Sequence, residues 1–596
     1  MPVSLTDMRF VIHEVLDFEG HYRALGAASE GPRPAAVPDR ALIDAVIDEG
    51  HRFADAELEP INRSGDAQGC RLADGEVSTP EGFKEAYATY VAGGWAGLIG
   101  APEFGGQGLP HSLSLFLEDL MCCANMAWTM YPGLSRGAIS ALSTHADAEL
   151  KGAFLPKLLT GEWTGTMCLT EPQAGSDVGL ARTRAEPNAD GTWAISGTKI
   201  FISAGEHDMA ENIVHLVLAR VPEAPAGTRG ISMFVVPKVR LDGGRNTVTC
   251  GAIEHKMGIN GSATCVLNFD AATGYLVGEA NQGMRYMFTM MNAARLVVGL
   301  QGACVAQAAL LRSLEYAQER LQMRALSGPV APDRAADPII VHADVRRMLL
   351  LQRAIAEGGR ALVYYAGQVA DRSMYGPDDA RERAHALLDF LTPIVKGILT
   401  ELGFESVNQA VQIFGGHGYI RDSGVEQYVR DARITTIYEG TTQIQALDLL
   451  GRKVLQTQGK GLMAFLEEVN ALVGSLREPL PELAGPLEAL AAEWGELSMS
   501  LGARAMQNPD EVAAAAVDYL FYSGYAVLAY CWGRTALAAA TAQANGRDDD
   551  PFLAGKLATA RFYFSRVLPR TRAHRAAAEA GAASLLEVSD QALAAV

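Results

Sequence analysis

The eight cysteines of this 596-residue chain include no CxxC pair, and only Cys122 and Cys123 are adjacent. That spacing excludes a zinc ribbon and a secreted disulfide framework, and a reducing cytoplasm is the expected compartment. The chain also lacks a basic excess. With 50 Lys and Arg against 69 Asp and Glu, the formal net charge is -19, which works against nonspecific nucleic-acid binding because that depends on neutralising phosphates. An uninterrupted apolar run of spanning length is missing as well. The longest apolar-looking stretch, "SGYAVLAYCWGRTALAAATAQA" from Ser523 to Ala544, is broken by Arg534 and rich in Ala, so it reads as a buried helix, and no transmembrane segment is expected. The start, "MPVSLTDMRFVIHEVLDFEG", carries acids inside its apolar stretch, unlike a signal peptide. There is no internal repeat.

What is present describes a globular protein: 49% hydrophobic and 20% charged residues, on a chain too long for one core. From about Asp39 apolar residues return every three or four positions, as in "RALIDAVIDEGHRFADAELEP" and "LSLFLEDLMCCANMAWTM", which predicts a helical lobe. From Trp163 the period becomes two, with "TWAISGTKIFISAG", "NIVHLVLARV", "GISMFVVPK" and "SATCVLNFD" separated by turn residues, which predicts a compact β domain. The helical period resumes near Met284. The loop "LSGPVAPDRAADP", Leu326 to Pro338, predicts an exposed connection between two long helices. The expected fold is α+β multidomain: an extension over 1–38, a helical domain over 39–162, a middle β domain over 163–280, a helical bundle over 281–456 and a further helical domain over 457–596.

Three stretches could carry chemistry. In "TMCLTEPQAGSDVG", Thr166 to Gly179, Thr170, Ser176 and the amides around Gly175 offer donors with little bulk, suited to a planar ligand edge or a phosphate; the same residues also fit an Asx-type turn. The glycines of "QIFGGHGYIRDSGVEQYVRDAR", Gln412 to Arg433, would let a phosphate approach the backbone, although they do not follow a strand as a dinucleotide fingerprint does. His417 has no acidic or cysteine neighbour at ligand spacing, so it reads as structural and no metal is expected. In "ITTIYEGTTQIQALDLLGRK", Ile434 to Lys453, Thr442 and Gln445 fit a capping box, which starts a helix at Thr442 and leaves Glu439 in the turn before it. Alone, that acid could simply complement the helix macrodipole.

Together, "CLTEPQAGSD", "QIFGGHGYIRDSGVEQYVRD" and "YEGT", in this order, resemble the signatures of the acyl-CoA dehydrogenase flavoproteins, a family built as helical lobe, β domain and helical lobe. Leu180 stands where the first signature has a small residue, and Gln427 where the second has Lys or Arg. The resemblance implies that Glu439 is the general base and that FAD is the cofactor. Met167, Leu169, Thr170, Phe201 and Ser203 would lie along the flavin ring. Arg320 would reach the pyrophosphate, with Gln412, Gly415 and Gly416 supplied by a neighbouring subunit, so a homo-oligomer follows, a dimer in preference to a tetramer. Met323, Tyr438 and Thr441 would complete the cofactor contacts, and the family's usual Thr-Phe after the arginine is Gln322-Met323 here. Ser176 would touch the pantetheine, with Arg295 and Gly440 near the acyl-CoA. A minority branch carries its carboxylate near Asn292 to Ala294, and this chain has none there.

The amino-terminal stretch, the loop after Arg320 and the long carboxy-terminal segment resemble a subgroup that includes 3-methylmercaptopropionyl-CoA dehydrogenases. That implies a sulfur-containing propionyl thioester, with medium or long straight chains as the alternative and electron-transfer flavoprotein as electron acceptor. Two rivals share the fold: an acyl-CoA oxidase, which passes electrons to oxygen, and a noncatalytic DNA-binding flavoprotein, whose need for a basic face the acidic total opposes.

Overall fold

The computed structural model describes residues 3–595. Two compact units divide the chain: one spans 34–297, and the other joins the amino-terminal residues up to 33 with the residues from 298 onward.

In the first unit the predicted helices form with side-chain caps at their starts. Asp39 accepts from Leu42 N at 2.8 Å ahead of Arg40–Phe53, Asn125 from Trp128 N at 3.0 Å ahead of Met126–His145, and Asp147 from Leu150 N at 2.9 Å ahead of Ala148–Thr160. The helical reading of 39–162 passes over a hairpin, β1 (Arg71–Ala73) with β2 (Glu76–Ser78). Its turn is Asp74-Gly75, both at positive φ (53° and 82°), the dipeptide that hairpin turns of this hand require.

The β domain consists of β3 (Trp163–Cys168), β4 (Arg184–Pro187), β5 (Trp193–Ser203), β6 (Asn212–Ala219), β7 (Ser232–Pro237), β8 (Val248–Ile253) and β9 (Thr264–Leu276). They form one seven-stranded sheet in the order β3-β6-β7-β9-β5-β4, with β8 also on β9; β3 and β6 are parallel and every other pair is antiparallel. β9 bonds to three strands because its last residues pair with β7 while the rest pairs with β5 and β8. The sheet thereby curls around one core, in which Cys168, Ile195, Val217, Phe234, Val236, Leu267 and Phe269 come from five of its strands. The other face of β6 and β7, with Val214, Leu216, Met233 and Val235, packs on Leu142, Phe154, Leu158 and Met287 of the helices. β6 is buried at every position, which explains its continuous apolar run.

The second unit is helical. The second half of Gly283–Glu319 lies against Asp378–Phe414 at backbone distance: a Cβ on Gly302 would collide with the Leu399 carbonyl, and one on Gly403 would meet the Gly302 carbonyl. The amino-terminal extension and the carboxy-terminal helices belong to this same unit, joined by buried charge. Asp7, fully buried, pairs with Arg360 of Ala343–Met374 at 2.5 Å and with Lys556 of Pro551–Phe562, and Lys556 also binds Glu357 at 2.8 Å. Burial alone would raise the Asp7 carboxyl, but the Lys556 and Arg360 cations outweigh it and hold it below the usual carboxylate range. Arg534 donates to Val15 O at 3.0 Å and lies over the rings of Tyr365 and Tyr530, so the charge that interrupts the apolar Asp510–Ala542 helix is used inside the protein. Gly283–Glu319 and Asp510–Arg547 are long and apolar enough to span a membrane, but 83% and 67% of their apolar windows are buried, as in core helices.

Candidate active site

The first signature leaves the sheet at the end of β3 and turns at Glu171. This carboxylate is buried and bonded on all sides: Lys199 Nζ of β5 at 2.8 Å, the N–H groups of Arg182 (2.7 Å) and Thr183 (3.0 Å), and the Gln173 amide (2.7 Å). Lys199, also fully buried, donates in addition to Leu169 O at 3.0 Å, and Ile200 N donates to Thr170 O at 2.9 Å. The backbone of Leu169 and Thr170 is therefore fixed against β5. Sequence reasoning missed this pair. The available signal was a lone lysine at an inward position of an alternating strand, since Ile195 and Lys199 are both buried on it.

Between Lys199 and Ile202 the β5–β9 register slips, and Phe201 occupies the bulge at φ 58° with 59% of its surface exposed. A left-handed Phe costs on the order of 1–3 kcal/mol and is held only because its neighbours over-determine it. The result is a flat aromatic face displayed beside Thr170, which suits a planar ring. Met167 and Ser203 are half-buried, and Leu169 is buried. Ser176 is exposed in a turn in which Asp177 accepts from Gly179 N at 3.0 Å, so the Asx-type turn is present alongside the exposed hydroxyl. Arg295 is buried, and its guanidinium donates to Asn292 on the same helix at 3.4 Å.

Burial would push the Glu171 carboxyl up, but the Lys199 ammonium and the hydrogen bonds overcome it and hold the group at about 2 against an ordinary 4.5. A depressed folded-state value contributes stability that is complete above the unfolded value and lost as pH falls. Acid unfolding is accordingly expected to weaken the wild type between about pH 4.5 and 2. In Glu171→Gln that part of the pH dependence disappears and the protein is less stable at pH 7, because Lys199 is left buried without its counter-ion. Thermal melts of both proteins from pH 2 to 7 check this.

The second unit carries the other residues. Arg320 follows the Gly283–Glu319 helix, exposed, with its carbonyl taken by Ile339 N at 2.8 Å. Met323 stands at φ 61° and is 75% exposed. The predicted exposed connection after it has internal order: Asp337, fully buried, accepts from the N–H groups of Ala325 (3.0 Å), Val330 (3.0 Å) and Ala331 (2.7 Å) and from Arg324 (3.1 Å), which hold its carboxyl far below the usual range. Asp378–Phe414 ends at Gly415, whose φ 60° and ψ -137° only glycine adopts readily. A Cβ on Gly415 or Gly416 would meet nothing within 4 Å, so this backbone faces open space, with Gln412 exposed one turn earlier. His417 lies 3.4 Å from the Tyr316 hydroxyl, a structural contact, and Tyr316 stacks on Phe414 at 4.1 Å.

Glu439 and Gly440 are consecutive left-handed residues (φ 57° and 95°), immediately before the helix Thr442–Leu447. The helix starts where the sequence predicts, but the capping box does not form. Thr441, not Thr442, accepts from Ile444 N at 3.4 Å, and Thr442 Oγ1 bonds to Glu401. Gln445 is redirected: its amide donates to Glu439 O at 3.0 Å. Lys396, fully buried on Asp378–Phe414, donates to Gly440 O at 2.6 Å, and the Tyr438 hydroxyl donates to Gln301. A Cβ on Gly440 would sit 2.6 Å from the Gln445 amide nitrogen, so only glycine leaves that bond intact.

The geometry defines a strained carboxylate turn in one unit and a displayed aromatic bulge beside bonded Thr170 in the other. Family models match almost the whole described chain: "Acyl-CoA dehydrogenase, N-terminal domain" over 43–162, the "middle domain" over 166–272, the "C-terminal domain" over 281–455 and "Acetyl-CoA dehydrogenase C-terminal like" over 465–589. The chain belongs to the acyl-CoA dehydrogenase family and is an FAD-dependent oxidoreductase of acyl-CoA thioesters. It is 46% identical to the 3-methylmercaptopropionyl-CoA dehydrogenase of Ruegeria pomeroyi over 91% of this chain and 94% of that one, and 35% identical to a butyryl-CoA dehydrogenase of Syntrophomonas wolfei over 88% and 89%. The solved acyl-CoA dehydrogenase of Bacillus anthracis, complexed with FAD, shares its fold at a TM-score of 0.72, with 21% identity over 89% of this chain and 87% of that one.

Proposed function

We propose that the enzyme converts 3-(methylthio)propanoyl-CoA to its trans-2-enoyl thioester, with Glu439 as the base. The observation that carries the substrate is the likeness to the Ruegeria pomeroyi enzyme, which extends over 94% of that chain and exceeds the likeness to the butyryl-CoA enzyme by 11 percentage points, 46 minus 35.

The α-hydrogen of a thioester is too weakly acidic for a carboxylate acting alone. Glu439 takes it as a proton while donors at the thioester oxygen stabilise the developing enolate, a preorganised effect worth about 3–4 kcal/mol per donor. FAD, when bound, supplies the acceptor for the β-hydride, so that two electrons and two hydrogens leave the substrate. Met167, Leu169, Thr170, Phe201 and Ser203 would hold its ring, which the exposed Phe201 face and the fixed Thr170 backbone support. Arg320 would take the pyrophosphate, with Gln412, Gly415 and Gly416 contributed by a second copy, so the working form is a homodimer. The open backbone at Gly415 and Gly416 supports that contact. Ser176 and Arg295 bind the CoA thioester, and an electron-transfer flavoprotein reoxidises the enzyme.

A panel of 3-(methylthio)propanoyl-, butanoyl-, octanoyl- and palmitoyl-CoA with an artificial electron acceptor tests the substrate. The sulfur thioester is expected to give the highest kcat/KM. A tenfold or greater preference for a longer straight chain overturns it, and stoichiometric peroxide in air without acceptor would make the enzyme an oxidase.

A further inference from the structure

We propose that Lys396 and Gln445 are positioning residues that aim the Glu439 carboxylate, an inference that rests on Glu439 being the base. Two donors from two different helices converge on successive carbonyls of one turn, Gln445 on Glu439 O at 3.0 Å and Lys396 on Gly440 O at 2.6 Å. Those carbonyls belong to the two left-handed residues, at φ 57° and 95°. In a turn of this kind the direction of the Glu439 Cα–Cβ bond depends on the orientation of the peptide planes on either side. Pinning the Glu439 carbonyl fixes the plane on its carboxy-terminal side, and pinning the Gly440 carbonyl keeps that plane from turning about Gly440 and swinging the carboxylate away.

A merely structural turn would not be built this way. Both Lys396 and Gln445 are 0% exposed, so each donor is held by the packing around it and neither can leave its carbonyl for solvent. The Gln445 amide oxygen is itself buried with no hydrogen-bond partner among the described residues, so this side chain is kept for its donor half at the expense of its acceptor half. Tyr438, bonded to Gln301, and Thr441, capping the next helix, tie the turn on both sides.

The test is single-turnover flavin reduction in the FAD-loaded enzyme. Lys396→Met and Gln445→Met are each expected to slow reduction by about 10- to 100-fold, the penalty for displacing a reacting group by about 1 Å, with FAD content and the affinity for a nonreactive CoA thioether unchanged. Added to Glu439→Gln, neither should cost anything more, because a positioning residue has nothing left to position. Gln445→Met replaces a half-satisfied amide with an apolar chain of similar size, so it decides the matter if Lys396→Met does not fold. A wild-type reduction rate in Gln445→Met, or a full multiplicative loss in the Glu439→Gln background, overturns the positioning role while leaving Glu439 as base. A wild-type rate in Glu439→Gln alone overturns the base, and the proposal with it.

Discussion

Glu439→Gln is expected to retain FAD and to bind CoA ligands with unchanged affinity, yet to reduce its flavin about 10³- to 10⁴-fold more slowly than wild type, the upper range for losing a positioned base. The substitution exchanges one carboxylate oxygen for an amide and keeps the size of the side chain. The left-handed backbone, the Gln445 bond to the residue's carbonyl and the Thr441 cap involve none of the exchanged atoms. What is lost is the capacity to accept a proton. Stopped-flow bleaching of the flavin with saturating acyl-CoA reads it directly, and bleaching at the wild-type rate would remove Glu439 from the chemistry. No second carboxylate stands in Asn292 to Ala294 to take over.

Asp7→Ala is expected to be the most destabilising single change outside the site. It leaves Lys556 and Arg360, 0% and 2% exposed, without the anion they share, and breaking a buried pair from one side costs about 3–5 kcal/mol. The wild type should show the same dependence on that anion as pH is lowered. Because the Asp7 carboxyl is held below its ordinary 3.8, its contribution is complete above that value and declines as pH falls beneath it. Urea unfolding at pH 7 checks the substitution. If the midpoint is unchanged, the cluster contributes nothing to folding; if Asp7→Leu combined with Lys556→Met recovers most of the loss, the penalty lay in the stranded charge.

The β domain was legible because the alternation of β9 and the β-branched, turn-bounded runs of the other strands are local properties, as was the helical period on either side. The hairpin at Asp74-Gly75 was lost because its strands have three residues each, too few to interrupt a helical reading. Glu439 was legible only through the resemblance, since an acid before a helix has an ordinary explanation. The cap was misread by one residue because Thr441 and Thr442 are chemically equivalent, and the choice between them depends on Glu401, which sits 41 positions from Thr442 on another helix. The pairings that hold the site were not legible, even where the inward position of Lys199 signalled a buried partner: Glu171 meets Lys199 across 28 positions and Lys396 meets Gly440 across 44. No periodicity reports a contact of that kind.

The pairing of Asp7 with Lys556 joins residues 549 positions apart. A ribosome adding about 5–20 residues per second emits the first of these roughly half a minute to two minutes before the second. During synthesis the leading helix must wait first for Arg360 and then for Lys556, so the Asp7 cluster cannot be completed until translation is nearly finished. A nascent chain stalled shortly before residue 556 would therefore expose a protease-sensitive amino terminus that the released protein hides.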